Sequence, residues 1–153
     1  MRLRITNPMF SKEKIQEVVR FVRPGGISRF TVAVRGTRYA SASGRAYCGS
    51  WHPRVMFKVG SSLKFPYSMT SRGAYLGVTV YSLEETLVFI MAHELRHLWQ
   101  LKHPRGYRVW GARGQYSERD ADAYALHKLR EWRRRVVIAE PVANGKDRSA
   151  SSV

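Results

Sequence analysis

Between Ser82 and His103 the chain carries apolar residues on nearly every side of a helical repeat. The segment opens with Ser82-Leu83-Glu84-Glu85, a capping box in which Ser82 caps the helix and Glu85 reaches back to its amide. It continues as LVFIMAHELRHLWQL and stops at His103-Pro104, with Gly106 beyond. A helix that is apolar all round runs through an interior. The chain has 153 residues, one domain's worth, and two independent cores would be crowded at that length. The remaining elements are therefore expected to pack around this helix.

The flanking sequence changes period. Ser11 to Arg23 reads as a helix: Ile15, Val18, Val19 and Val22 form the stripe, Ser11 caps it, and Pro24-Gly25-Gly26 ends it. Alternation of Phe30, Val32 and Val34 with Thr31, Ala33 and Arg35 predicts a strand over about 28–35. Val55, Phe57 and Val59 predict a second, and Leu76, Val78 and Val80 a third. Thr37 to Ser50, rich in Ser, Gly and Tyr, reads as either a loop or a ragged strand. A last helix opens at Ser117, after a Gly- and Arg-rich loop, and runs to about Val137. The pattern predicts an α+β fold in one domain over 1–138. The polar tail over 139–153 lacks apolar anchors and is expected to be disordered.

Composition narrows the setting. Hydrophobic residues at 44% and charged residues at 25% describe a folded globular chain. The single cysteine, Cys48, excludes an intramolecular disulfide framework and a cysteine-based zinc ribbon. The N-terminus has no apolar stretch long enough for a signal peptide, and the longest wholly apolar run, Leu87 to Ala92, is far short of a membrane span. The expectation is a cytoplasmic protein with no membrane partner.

The buried helix contains His93-Glu94-Leu95-Arg96-His97. Four residues advance a helix by about 6 Å and leave both histidines on one face, so both imidazoles can reach one ion. Zinc held by neutral imidazoles lowers the pKa of its water to about 7, and Glu94, beside that face, can take the proton without being a ligand. The last helix supplies what two histidines lack. Its stripe runs Glu118, Asp122, Ala125, Leu129, Trp132, Val136: an apolar face whose top two positions are carboxylates. Buried carboxylates are normally paired or bind metal. Glu118 then reads as the third ligand, and Asp122 as the acceptor of a ligand histidine's far N–H. A helix dipole alone would account for Glu118 and Asp120, but not for Asp122 continuing the inward stripe.

HELRH followed by an E-x-x-x-D helix resembles the zincin metallopeptidases of the glutamate-ligand kind, the gluzincins, over about Val78 to Trp132. The resemblance implies a minimal zincin-like fold with a small, mostly antiparallel sheet. It implies Zn2+ on His93, His97 and Glu118, Glu94 as general base and Asp122 orienting a histidine. SERDADAYA is also similar to small zincins of the ImmA/IrrE type. SprT-like proteases, small and basic, are a further comparison, but they usually take a histidine as third ligand. His103 and His127 are the spare candidates for that role. His103 is too near the helix end to fold back easily, and His127 is off the Glu118–Asp122 stripe. The family also implies a strand edge that takes a substrate peptide, for which the strand over 75–81 is the candidate, and an oxyanion helper. Tyr107, Arg108, Arg113 and Tyr116 qualify as helpers by location.

Twenty-seven Lys and Arg against eleven Asp and Glu leave a net charge of +16, and twenty of the twenty-seven are Arg. Arg suits phosphate because its planar fork binds two oxygens at once. The charge suggests nucleic acid or another polyanion; a basic surface without a partner explains it equally well. Arg133-Arg134-Arg135 reads as a helix C-terminus favouring cations. Cys48 with His52 suggests a thiol nucleophile, but no third group completes it. The function expected is zinc-dependent hydrolysis of peptide bonds in a protein substrate, with DNA as an associated partner. The rival is a basic nucleic-acid-binding protein with a structural zinc and no catalysis. Structural zinc sites usually have four protein ligands, whereas three are visible, which favours the enzyme.

Overall fold

A computed structural model of the protein describes residues 1–48, 52–69, 77–103 and 115–139, the side chains of 115–117 and 139 excepted. In order these form β1 (Arg2–Ile5), α1 (Lys12–Val22), β2 (Thr31–Thr37), β3 (Ala42–Tyr47), β4 (Arg54–Gly60), β5 (Tyr67–Met69), β6 (Val78–Val80), α2 (Leu83–Lys102) and α3 (Gln115–Ala139). The class is α+β, as the periodicities require. The tail expected to be disordered lies, from residue 140, outside the described residues.

The main sheet has the order β1-β2-β4-β3. It is mixed, not mostly antiparallel: β1–β2 and β2–β4 are parallel, and only β3–β4 is antiparallel. β1 and β2 are parallel because helix α1 carries the chain back to the start of β2, and β2 and β4 are parallel because the chain returns through β3 between them. Strand β1 was not anticipated, because Arg2-Leu3-Arg4-Ile5 is too short to show a period. The ambiguous stretch before Ser50 holds β3. Of the third expected strand, Val78–Val80 forms β6, which pairs with β5 in a separate antiparallel ribbon, and Leu76 lies outside the described residues.

Helices pack on one face of the sheet. Ile15, Val18, Val19 and Val22 of α1 join Val32, Val34, Val55, Phe57 and Val59 in the cluster that also holds the apolar residues of α2. Helix α2 is interior as expected, with Leu87, Met91 and Leu95 fully buried; each such side chain contributes about 1.5–3 kcal/mol. Ser82 Oγ accepts from the Glu85 amide at 3.1 Å. Glu85 departs from the capping box by accepting from the Tyr81 N–H at 3.0 Å. It also accepts two hydrogen bonds from Arg133, at 3.0 and 2.7 Å, while Arg133 donates to the Thr79 carbonyl at 2.9 Å. Arg133 is thus a tie between α3, α2 and β6 rather than a charge complementing a helix end. The helix continues past it, and the inward stripe ends at Trp132, since Val136 is exposed. No helix among the described residues is long and apolar enough to cross a membrane.

Candidate metal centre

Helix α3 packs along α2, and the two carboxylates at the top of its stripe meet the two histidines. His93 Nε2 and His97 Nε2 are 3.0 Å apart. Glu118 places Oε2 at 3.2 Å from the first and Oε1 at 3.4 Å from the second. Donor atoms about 2.0–2.1 Å from one tetrahedral zinc would be about 3.3–3.4 Å apart. These contacts, which run to both Glu118 oxygens, are close to that size, and among the described residues one ligand atom from each of the three lies within 4.8 Å of the others, so this trio could hold a metal ion.

What stands behind the rings sets their lone pairs. His93 Nδ1 is 2.8 Å from Asp122 Oδ1, on a carboxylate only 2% exposed. His97 Nδ1 is 2.9 Å from Gln100 Oε1. Gln100 in turn donates from Nε2 to Asp120 Oδ2 at 2.9 Å, and Arg96 grips Asp120 with bonds of 2.7 and 3.0 Å. With an oxygen behind each ring, the neutral imidazoles carry their proton on Nδ1 and turn a bare Nε2 to the shared point. Two nitrogen lone pairs and a carboxylate then converge, an arrangement that a cation relieves.

The electrostatics agree. Burial favours neutral His93, but hydrogen bonds to Asp122 and Glu118 and the charge of Glu94 outweigh it and push its pKa up to about 10. Burial is outweighed at His97 too, chiefly by Glu118, so its pKa is also raised. Hydrogen bonds from the two rings hold the Glu118 carboxyl well below its ordinary range. Lone pairs this concentrated hold protons tightly, and a divalent cation would satisfy the same atoms.

Glu94 lies on the sheet side of this group. Burial pushes its carboxyl up, opposed by the two histidines and by a hydrogen bond from the Ala46 backbone. The strand beside it is β3, not the segment over 75–81, of which β6 is paired with β5 and the rest lies outside the described residues apart from Gly77 and Tyr81. Gly44 is what lets β3 come so close. A Cβ there would sit 2.5 Å from Ile90 Cγ2 and 2.7 Å from Glu94 Oε1. The Gly60 amide bonds to the Ser41 carbonyl at 3.0 Å, which fixes the phase of the β3–β4 ladder. The backbone groups of Ser43, Arg45 and Tyr47 therefore face β4, and the N–H and C=O groups of Ala42, Gly44 and Ala46 face the edge that no described strand pairs.

Other expectations fare differently. Tyr107, Arg108 and Arg113 lie outside the described residues, as does the side chain of Tyr116. His103 stacks on Trp99, with Nδ1 2.9 Å from the Trp99 carbonyl, and His127 is exposed near Glu131. Neither joins the cluster. Burial and the Glu94 charge push the Cys48 thiol up, the opposite of what a nucleophile needs. Sequence reasoning missed Gln100, although it follows His97 by three residues on the same helix face. It also missed the Arg96–Asp120 clamp and the approach of β3.

Comparison of the chain with protein-family models, with curated proteins and with solved structures finds no match. The functional reading therefore rests on the chemistry of the site.

Proposed function

We propose that this protein is a zinc-dependent peptidase acting on extended segments of a protein substrate. One observation carries the reading: three lone-pair donors converge beside a buried carboxylate that is not among them, at a strand edge that no described strand pairs. His93, His97 and Glu118 would hold the ion. Zinc, when bound, supplies Lewis acidity for the scissile carbonyl and for the attacking water. Glu94 accepts the proton of that water and returns it to the leaving amine, a transfer favoured by a carboxyl whose pKa burial has raised. The Ala46 N–H holds the carboxylate in place, and the absence of a side chain at Gly44 gives it room. The N–H and C=O groups of Ala42 and Gly44, which no described strand pairs, suit an added peptide strand that would lie alongside Glu94.

Two variants and a chelator test this. The purified protein should hold about one zinc per chain. Glu118→Ala should lose it, while Glu94→Gln should keep it and lose hydrolysis of a peptide library by about 100-fold or more. Cleavage should stop on chelation and return with zinc. Full zinc retention by a folded Glu118→Ala would move the third ligand elsewhere. Wild-type turnover by Glu94→Gln would remove the base from the mechanism. A zinc-loaded wild type that cleaves nothing, and matches Glu94→Gln in all binding assays, would leave the ion a structural role.

A further inference from the structure

Among the described residues, the sheet face turned away from the helices carries no acid and six cations. Strand register puts them in rows. Arg2, Thr31, Arg54 and Tyr47 lie side by side; so do Arg4, Ala33, Met56 and Arg45; and then Arg35, Lys58 and Ser43. The alternate rows, such as Leu3-Val32-Val55-Ala46, are apolar and belong to the helix side. Arg2, Arg4, Arg35 and Arg45 are exposed, while Arg54 and Lys58 are half-buried. None of the six has an acidic partner among the described residues. Every acid among those residues is on α1, α2 or α3, and none is on a strand. Among the described residues the acids are therefore confined to the helix layer with the candidate metal site, while these six cations, without an acidic partner there, line the opposite surface.

We propose that this face binds the phosphate backbone of a nucleic-acid duplex without reading its sequence. With strands about 4.8 Å apart and same-face residues about 6.7 Å apart, the rows make a flat patch about 14 Å square, enough to meet several phosphates. Five of the six cations are Arg, whose fork matches phosphate oxygens. The one aromatic on the face, Tyr47, has the guanidiniums of Arg45 and Arg54 over its ring, with centroid distances of 5.2 and 4.3 Å. No open ring is left for an unstacked base, which disfavours a single strand. No exposed apolar side chain projects from these rows, as a helix or loop entering a lipid interface would require. A duplex hides its bases and offers phosphates, and that matches what the face presents. The inference is independent of the peptidase reading, since none of the six residues touches the metal site.

The test uses the full chain and a 20-base-pair DNA duplex of arbitrary sequence. Wild-type affinity should fall with salt at a log–log slope of roughly −4 to −5, the value for four to six phosphate contacts, and a scrambled duplex should bind equally well. Replacing Arg4, Arg35 and Arg45 together with Ser should weaken binding by about 100-fold or more at 0.1 M salt and make the slope shallower by about 2.7. A control that removes the same charge from the helices, Arg20, Arg130 and Arg134 to Ser, should cost less than about 5-fold, its sites being outside the patch. Unchanged zinc content and melting temperature confirm that both triples fold. Equal losses in the two triples would overturn the proposal in favour of diffuse charge. So would absence of duplex binding at 50 mM salt. Tighter binding to a single strand, or to phosphatidylserine vesicles, lost in the sheet triple alone would assign the face to that ligand instead.

Discussion

His93 and His97 are the same residue type, one turn apart on α2, with Nε2 turned to the same point, yet they are braced differently from behind. His93 rests on Asp122, a carboxylate buried between the two helices. His97 rests on a neutral amide, Gln100, whose own position depends on Asp120 and Arg96. A carboxylate makes the ring a stronger base and fixes its tautomer by charge; an amide fixes the tautomer and adds little charge. The difference shows in the proton affinities. His93 is pushed up to about 10 despite burial, with Asp122 the first of the groups that raise it, whereas at His97 the main support comes from Glu118 and the amide comes after it. Two candidate ligands of one type on one helix can thus be unequal, the inequality being set by residues outside the trio.

If the carboxylate brace is the stronger one, removing its charge should cost the most. Asp122→Asn keeps the shape and is expected to weaken zinc affinity by about 10–100-fold, or about 1.4–2.7 kcal/mol. Competition with a chromogenic chelator reads this directly. An effect below about 3-fold would mean that the 2.8 Å contact holds the fold and not the ligand.

The braces also mark where the sequence stops being readable. Asp122 was legible because a carboxylate on an apolar helical stripe breaks a pattern, and a broken pattern asks for a reason. The α2 cap, the α1 stripe and the inward face of α3 were legible on the same terms, since each is a local period. Gln100 breaks nothing: a polar residue near a helix end is ordinary, and only the packing of α3 brings Asp120 to it. The strands show the limit more plainly. β1 is four residues long, and β3 alternates Ala, Gly and Ala with Ser, Arg and Tyr, too weak an apolar signal to name. That β3 rather than β6 lies beside Glu94 is a matter of sheet order, which depends on contacts distant in sequence. Gly44 carried the clue, because only its missing Cβ lets the strand and the helix meet.

The amide brace predicts a smaller effect. Gln100→Met fills similar space, removes the acceptor behind His97 and takes one hydrogen-bond donor from Asp120. Zinc affinity should fall by less than about 10-fold, below the loss in Asp122→Asn, because the neutral acceptor contributes orientation without charge. Fluorescence of Trp99, over whose ring the Arg96 guanidinium lies at 3.8 Å, gives a check that the clamp is intact. A loss equal to that of Asp122→Asn would abolish the ranking of the two braces.

The finest distinction is in protons. A ring that binds metal must first give up the proton on Nε2, so a raised pKa turns into proton release on binding. For His93 the metal-free ring stays charged below about 10, and the proton leaves when zinc enters anywhere below that pH. Apparent zinc affinity should therefore climb with pH through the neutral and mildly alkaline range and level off above about 10. At pH 8 the wild type and Gln100→Met should both release the His93 proton. In Asp122→Asn the ring loses the first of the groups that raise its pKa, while Glu118 and Glu94 remain, so its pKa falls and release at pH 8 should be smaller. Calorimetry in buffers of different ionisation enthalpy measures the difference, in which any proton released by Glu94 cancels because its carboxyl is common to all three proteins. Equal release from the three would show that Asp122 does not set the charge of His93, and the inequality of the two histidines would have to come from Glu118 instead.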